Sequence, residues 1–211
     1  MVTTPLSFGF RACSRIAVLQ IVAASLLISL TGGCLSLKTY VDPSFRSATY
    51  QSLKRPAQPA PLVINVVFQA EGIEKGGVRP VLEKDVTRVL NASRLFTVDV
   101  YKTNLQAAQL RITVNNVGDK GAAVGKGIGT GLTLGLAGSE VVDGYVMTAE
   151  FKKGPDGAVV TKTYRHAIYS TVGVHSAPAG MEPMSMDAAF AQVVEDMVLN
   201  LLRDLQNDNS L

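Results

Sequence analysis

The C-terminal part of the chain places the strongest constraint on its fold. Large apolar residues recur there at spacings of three and four, and charged residues take the opposite side. The apolar stripe comprises Phe190, Val193, Val194, Met197, Leu201 and Leu205, and the polar side comprises Glu195, Asp196, Arg203 and Asp204. Ser185 or Asp187 can cap the first turn by accepting a backbone N–H hydrogen bond. Because such a helix is stable only when its apolar face is buried, the rest of the chain must supply a surface to cover it.

A second helix and several strands are predicted upstream of this segment. Residues 62–68 are a nearly continuous β-branched run, which is typical of a buried central strand. The predicted strands are residues 62–68, 96–101, 110–114, 141–151 and 159–172, the last two joined as a hairpin by Gly154-Pro155-Asp156-Gly157. The second helix carries Val78, Leu82, Val86, Val89 and Leu90 on its apolar face. The order β-α-β-β-insert-β-β-α predicts an α+β fold, with a mostly antiparallel sheet and the helices packed on one face.

The junction between the second helix and the strand after it carries a family resemblance. The segment Val89-Leu90-Asn91-Ala92-Ser93-Arg94-Leu95-Phe96-Thr97-Val98 resembles the equivalent region of the curli secretion channel lipoprotein, of TolB amino-terminal domains and of penicillin-binding-protein activator lipoproteins. Arg94 stands where that family usually has Gly. The resemblance implies a periplasmic α/β module in which Phe96 folds back under the helix. The whole chain also resembles uncharacterised outer-membrane lipoproteins of proteobacteria.

Residues 1–33 have the three parts of a secretory signal. Arg11 and Arg15 precede an apolar run from Ile16 to Leu30, and Thr31-Gly32-Gly33 precede Cys34. This small-residue site resembles the lipobox of bacterial lipoproteins. The resemblance implies removal of residues 1–33, lipidation of Cys34 and, because Leu35 rather than Asp follows, residence in the outer membrane facing the periplasm. The alternative is an uncleaved transmembrane helix, although the apolar run is at the short end of what spans a bilayer.

Charge and cysteine content exclude several classes of protein. Removal of residues 1–33 leaves 178 of the 211 residues, a length typical of one domain. The 18 basic residues that remain nearly balance the 17 acidic ones, and no basic cluster interleaved with aromatics occurs, so we expect no nucleic-acid partner. Cys13 leaves with the signal and Cys34 is acylated, so the mature chain forms no internal disulfide.

Residues 34–61 are predicted to form a tether between the lipid anchor and the domain. Pro56, Pro59 and Pro61 favour an extended chain without internal hydrogen bonds. The sequence therefore predicts a lipid-anchored, semi-rigid tether followed by a periplasmic domain over residues 62–208. An edge strand near Leu35 to Tyr40 is the alternative.

The histidines and their acidic neighbours predict no catalytic or metal site. His166 and His175 are nine residues apart with no ligand at a suitable spacing between them. Ser139, Glu140 and Asp143 could join His166 as a nucleophile set, but no nucleophile-elbow pattern accompanies them. We expect His166 to be a surface or partly packed strand residue. The sequence therefore predicts no catalytic residue, no metal, no cofactor and no enzymatic activity.

A glycine-rich insert, residues 118–138, separates the predicted strands. Residues 121–127 fail the spacing of a phosphate-binding loop. Farther on, small residues alternate with larger ones, and no charge occurs from Gly127 to Ser139, which is unusual for a solvated loop. The residues that we expect to make membrane or self-association contacts are Gly125, Gly127, Gly129, Gly131, Leu132, Leu134 and Leu136.

Two conformations of the insert are compatible with this spacing. The alternation suits an extended segment with one apolar face, and the four-residue glycine spacing suits close helix packing. Both need a partner surface, which can be a sheet neighbour, a second copy or lipid. A mobile loop is the third alternative.

These observations favour a non-catalytic outer-membrane lipoprotein whose periplasmic domain binds an envelope protein or assembles with copies of itself. The alternative is a membrane-inserting or pore-forming lipoprotein that acts through residues 125–138. An envelope enzyme is disfavoured, because no catalytic pattern is found.

Overall fold

A computed structural model describes residues 37–99, 104, 106–118, 139–172 and 181–211 of the chain. The strands are β1 (Leu37–Val41), β2 (Ala60–Ala70), β3 (Ile73–Glu74), β4 (Phe96–Val98), β5 (Ala108–Val117), β6 (Ser139–Lys152) and β7 (Val159–Val172). The α-helices are α1 (Arg79–Ser93) and α2 (Met186–Asn207), and two short 3-10 helices are Pro43–Phe45 and Tyr50–Ser52.

The seven strands form one mixed sheet. Its order is β1-β7-β6-β5-β2-β3, and β4 pairs with the outer edge of β2 beside β3. The pairs β2–β4 and β2–β5 are parallel, because α1 carries the chain back across the sheet between them, and the other pairs are antiparallel. The predicted α+β fold with a mostly antiparallel sheet is confirmed.

The core lies between one face of the sheet and the two helices. Alternate residues of the strands point into it, as the period of two requires. On β2 and β5 the core residues are Leu62, Ile64, Val66, Phe68, Ala108, Leu110, Ile112 and Val114. The stripe of α2 meets them, with Val193, Val194, Met197, Leu201 and Leu205 fully buried. Ser185 caps α2, because its hydroxyl oxygen accepts a hydrogen bond of 3.2 Å from the Ala188 N–H.

The turn after α1 keeps its geometry although Arg94 replaces the glycine usual in the resembling family. Arg94 adopts φ +60° and ψ +18°, the left-handed conformation that ends many helices. The Ser93 hydroxyl oxygen accepts a hydrogen bond of 3.1 Å from the Leu95 N–H. Phe96 is buried next to Phe151, with ring centroids 6.1 Å apart. The turn therefore positions Phe96 in the hydrophobic core.

Residues 37–61 differ from the predicted tether. β1 pairs with β7 over five residues, so the edge-strand alternative describes this region from Leu37 onward. Ala48 and Leu53 are buried in the core. The prolines that suggested a tether are confined to the last six residues, 56–61, whereas the preceding stretch docks on α2. The domain therefore begins at Leu37 rather than at Leu62.

Candidate functional site

A buried polar cluster joins α2 to the chain that follows β1. The Oδ1 atom of Asp196 accepts hydrogen bonds from Arg46 Nε at 2.7 Å and from Gln192 Nε2 at 2.8 Å. Its Oδ2 atom lies 3.2 Å from His166 Nε2. The side chains of His166 and Asp196 are 0% and 1% exposed. The prediction for His166 is wrong, because its side chain is neither at the surface nor only partly packed. Asp196, predicted on the polar side of its helix, is buried and bonded to Arg46.

The two ring nitrogens of His166 meet different protein groups. His166 Nδ1 lies 2.9 Å from the Ala167 nitrogen and 3.3 Å from the Ala167 carbonyl oxygen. His166 Nε2 faces the Asp196 carboxylate. The ring of Phe45 lies 4.9 Å from the imidazole, centroid to centroid. The imidazole is thus enclosed by protein, with both nitrogens in contact with protein groups.

Burial of Asp196 would by itself raise the pKa of its carboxyl group. Hydrogen bonds from His166 and Arg46, together with the positive charge of Arg46, outweigh that effect and lower the pKa of Asp196 below its ordinary value. The carboxylate is therefore ionised at neutral pH. Because neither Asp196 nor His166 reaches solvent, the pair cannot meet a substrate, and its chemistry is used to hold the fold.

Three further side chains of α2 continue this attachment. Asn200 Oδ1 accepts from the Ser47 N–H at 3.1 Å and from the Ser47 hydroxyl at 2.8 Å. Arg203 Nη1 donates to the Ser47 carbonyl at 2.7 Å. Gln206 bonds both backbone groups of Lys54, at 3.0 and 2.5 Å. With Asp196, these residues recur every three or four positions, so they line one face of the helix. We call them the α2 polar ladder.

One end of the sheet lies close in sequence to Cys34. Leu37 of β1 pairs with Val172 of β7, and Val172 pairs with Ser139 of β6, so the three residues form one row across the sheet. We call this row the anchor-proximal end. Leu37 follows Cys34 by three residues, which span at most about 11 Å when fully extended. Of this row, Leu37 is the residue that the chain length keeps within about 11 Å of the predicted lipidation site.

The glycine-rich insert is connected to the sheet on this same side. Gly118, just after β5, bridges to Gly144 of β6, and β6 begins five residues earlier at Ser139. Gly118 has φ +52°, a backbone conformation that other residues rarely adopt, so glycine is favoured at the exit from β5. The insert therefore leaves and rejoins the sheet on the side where the row of Leu37 lies.

The predicted site residues lie outside the described residues. These are Cys34 and the insert residues Gly125, Gly127, Gly129, Gly131, Leu132, Leu134 and Leu136. His175 also lies outside them. His166 lies next to Asp196 on α2. Sequence reasoning missed this pairing because the two residues are 30 positions apart and each fits its own local pattern.

Within the described ranges, no three His, Cys, Asp or Glu side chains come together as metal ligands could. The helices of the same ranges include none with the length and apolar character of a membrane span.

No protein-family model and no curated protein matches the sequence. The chain is similar in structure to the PelC dodecamer from Paraburkholderia phytofirmans, with 12% identity, 77% of this chain and 96% of that chain covered, and a TM-score of 0.35. It is similar to a minor lipoprotein from Acinetobacter baumannii, with 12% identity, coverage of 73% and 96%, and a TM-score of 0.39. It is also similar to a DUF330 protein from Xanthomonas campestris, with 16% identity, coverage of 78% and 98%, and a TM-score of 0.38.

Proposed function

We propose that this chain is a non-catalytic lipoprotein, attached through acylated Cys34 to the periplasmic face of the outer membrane, whose domain is seated directly on the membrane. The observation that carries the proposal is the position of Leu37, already paired in the sheet three residues after Cys34. A fully flexible segment of 28 residues, the length of the predicted tether, would let the domain move about 30 Å from the anchor. A spacing of three residues keeps Leu37 within about 11 Å of acylated Cys34.

The first strand after Cys34 and the residues that follow it are firmly bonded to the rest of the domain. β1 is bonded to β7 along its whole length, and the Thr39 carbonyl also accepts a hydrogen bond of 2.9 Å from the Met184 N–H. Arg46 is then bonded to the buried Asp196. In this proposal, the lipid anchor therefore fixes the orientation of the sheet and of α2 relative to the membrane.

The proposed position of the domain directly on the membrane supports a contact role for residues 125–138. Gly118 and Ser139 flank the insert and lie on the anchor-proximal side of the sheet, so its charge-free stretch from Gly127 to Ser139 rejoins the sheet on the side that we propose faces the lipid. We propose that Leu132, Leu134 and Leu136 contact either the membrane or the insert of a second copy. The domain would thereby bind an envelope protein or assemble with copies of itself in a fixed orientation to the bilayer.

The first test concerns the anchor. Cys34→Ser removes the thiol that is acylated, so the processed protein should leave the membrane fractions of a sucrose gradient. Processed Cys34→Ser protein that stays in the outer-membrane fraction would refute the anchor.

The second test concerns the insert. The mature chain has no free thiol once Cys34 is acylated, so a single introduced cysteine can carry a fluorophore. We expect a quencher attached to lipid to quench a label at Leu134→Cys in reconstituted protein. A label at Val159→Cys should not be quenched, because Val159 is 61% exposed and lies at the other end of β7.

The two kinds of contact give different results. Quenching at residue 134 indicates lipid contact. A disulfide between Leu134→Cys copies without quenching indicates self-association. If neither is seen, the proposed role of the insert is wrong.

A further inference from the structure

A cavity of about 440 Å³ lies at the end of the sheet opposite to the row of Leu37. It is bordered by the starts of β2, β4 and β5 and by the end of β6. β6 runs from Ser139 at the anchor-proximal end to Lys152, a distance of about 43 Å at the usual rise of a strand. The cavity therefore opens well away from the row of Leu37, and it is independent of the proposed membrane contact.

The floor of the cavity is apolar and already formed. It consists of Leu95, Phe96, Ala108 and Phe151, each at most 7% exposed. These side chains belong to the hydrophobic core, so packing on their other sides holds them in place. A water molecule takes up about 30 Å³, and a methylene group is of similar size. The cavity therefore has room for about a dozen methylene groups.

The rim of the cavity is cationic. It carries Lys54, Arg55 and Lys153, and no Asp or Glu is among the described residues that line it. Lys153 Nζ donates to the Leu211 carbonyl at 2.6 Å, and Arg55 Nη2 donates to the Tyr50 carbonyl at 3.3 Å. Among the described residues, Lys54 and Arg55 form no ion pair with a carboxylate. Their positive charge is therefore available to an anion.

The rim is held in place by the α2 polar ladder. Gln206 bonds both the N–H and the carbonyl of Lys54, so the backbone of this rim residue is fixed before any ligand arrives. A site that is ordered in advance loses less entropy on binding. The same contact that docks residues 45–54 on α2 thus also shapes the entrance of the cavity.

We infer that this cavity binds an anionic amphiphile. An apolar tail of about twelve carbons lies on Phe96 and Phe151, and a carboxylate or phosphate head meets Lys54 and Arg55. The apolar floor favours a tail over a free anion, and the unpaired cations favour an anionic head over a neutral or cationic one. A free fatty acid and an alkyl phosphate share this chemistry.

The test uses the full acylated protein in nanodiscs of zwitterionic lipid, with dodecanoate that carries a photoreactive diazirine on its tail. Mass spectrometry should find the label on residues 54–60, 95–96 and 151–153. Unlabelled dodecanoate should compete, whereas dodecanol and dodecyltrimethylammonium should compete at least tenfold less well. Dodecyl phosphate and dodecanoate, compared as competitors, identify the preferred head group. Label elsewhere, or equal competition by dodecanol, would overturn the inference.

Paired variants separate the head contact from the tail contact. The double variant Lys54→Gln, Arg55→Gln should reduce labelling roughly tenfold, because each exposed pair contributes up to about a factor of five. Arg79→Gln, an exposed cation on α1, should leave labelling unchanged. Ala60→Trp places a large side chain at the entrance on an exposed position and should abolish labelling while the rim stays charged.

Two results would contradict the inference directly. Unchanged labelling in Ala60→Trp would place the ligand outside the cavity. Competition by inorganic phosphate as strong as that by dodecanoate would indicate a site for the anion alone. Circular dichroism of each variant confirms that it is folded, so a loss of labelling reports binding. The outcome does not depend on where the insert lies, because the label is mapped to the opposite end of the sheet.

Discussion

Replacement of Asp196 by asparagine tests the buried cluster most directly. The carboxylate accepts three hydrogen bonds, and the amide can satisfy only part of them because its nitrogen is a donor. Arg46 is 43% exposed and can turn to water, but the side chain of His166 is fully buried and cannot. An unsatisfied buried donor costs about 1 to 3 kcal/mol, and loss of the charge weakens the other bonds by about 1 kcal/mol more.

We therefore expect Asp196→Asn to lower the free energy of unfolding by about 3 kcal/mol, a large part of a domain's stability. For a domain of this size, this loss corresponds to a Tm lower by about 6 to 12 °C. The chain has no tryptophan, so unfolding is followed by circular dichroism at 222 nm. Glu83→Gln is the matched control, because Glu83 pairs with Arg79 at 3.8 Å on an exposed surface and should change the Tm by at most about 2 °C.

The pH dependence provides a second, independent check. The pKa of Asp196 is lowered in the folded state, so its stabilisation is present above the unfolded value of about 3.9 and is lost as the pH falls through the folded value. The Tm difference between the wild-type protein and Asp196→Asn should be largest above about pH 5 and shrink below about pH 4. An unchanged Tm at pH 7, or a difference that stays constant down to pH 3, would refute the reasoning.

Two further substitutions test the core and a turn. Leu201→Ala should lower the free energy of unfolding by about 2 to 5 kcal/mol, because Leu201 is fully buried on α2. The control Val81→Ala, at a position 49% exposed, should have little effect. Equal melting curves for Leu201→Ala and the wild type would contradict the assignment of α2 to the core. Arg94→Gly should raise the Tm by a few degrees, since Arg94 adopts φ +60° and glycine takes that conformation with less strain. A lower Tm for Arg94→Gly would show that its side chain contributes more than the strain costs.

The sequence predicted the elements whose residues repeat with a regular period. β2, β5, the β6–β7 hairpin and both α-helices follow apolar spacings that are set within one element, so local rules found them. Ser185 as the cap of α2 was also predictable, because capping needs only a polar side chain near a helix start.

The docking of residues 37–54 could not be predicted in the same way. Asn200 and Gln206 bond backbone atoms of Ser47 and Lys54, and backbone partners leave no mark in the sequence. The pairing of His166 with Asp196 depends on how β7 packs against α2, which no local pattern specifies. The cavity rim has the same origin, because Lys54 and Lys153 are neighbours only once the sheet and α2 are assembled.

The α2 polar ladder also imposes an order on folding. Its bonds to residues 46–54 join positions 150 to 156 residues apart, and β1 pairs with β7 near the other end of the chain. Contacts so distant in sequence form late and slowly. β1 and the residues that follow it can therefore reach their native places only when β7 and α2, from the other end of the chain, are available to bind them.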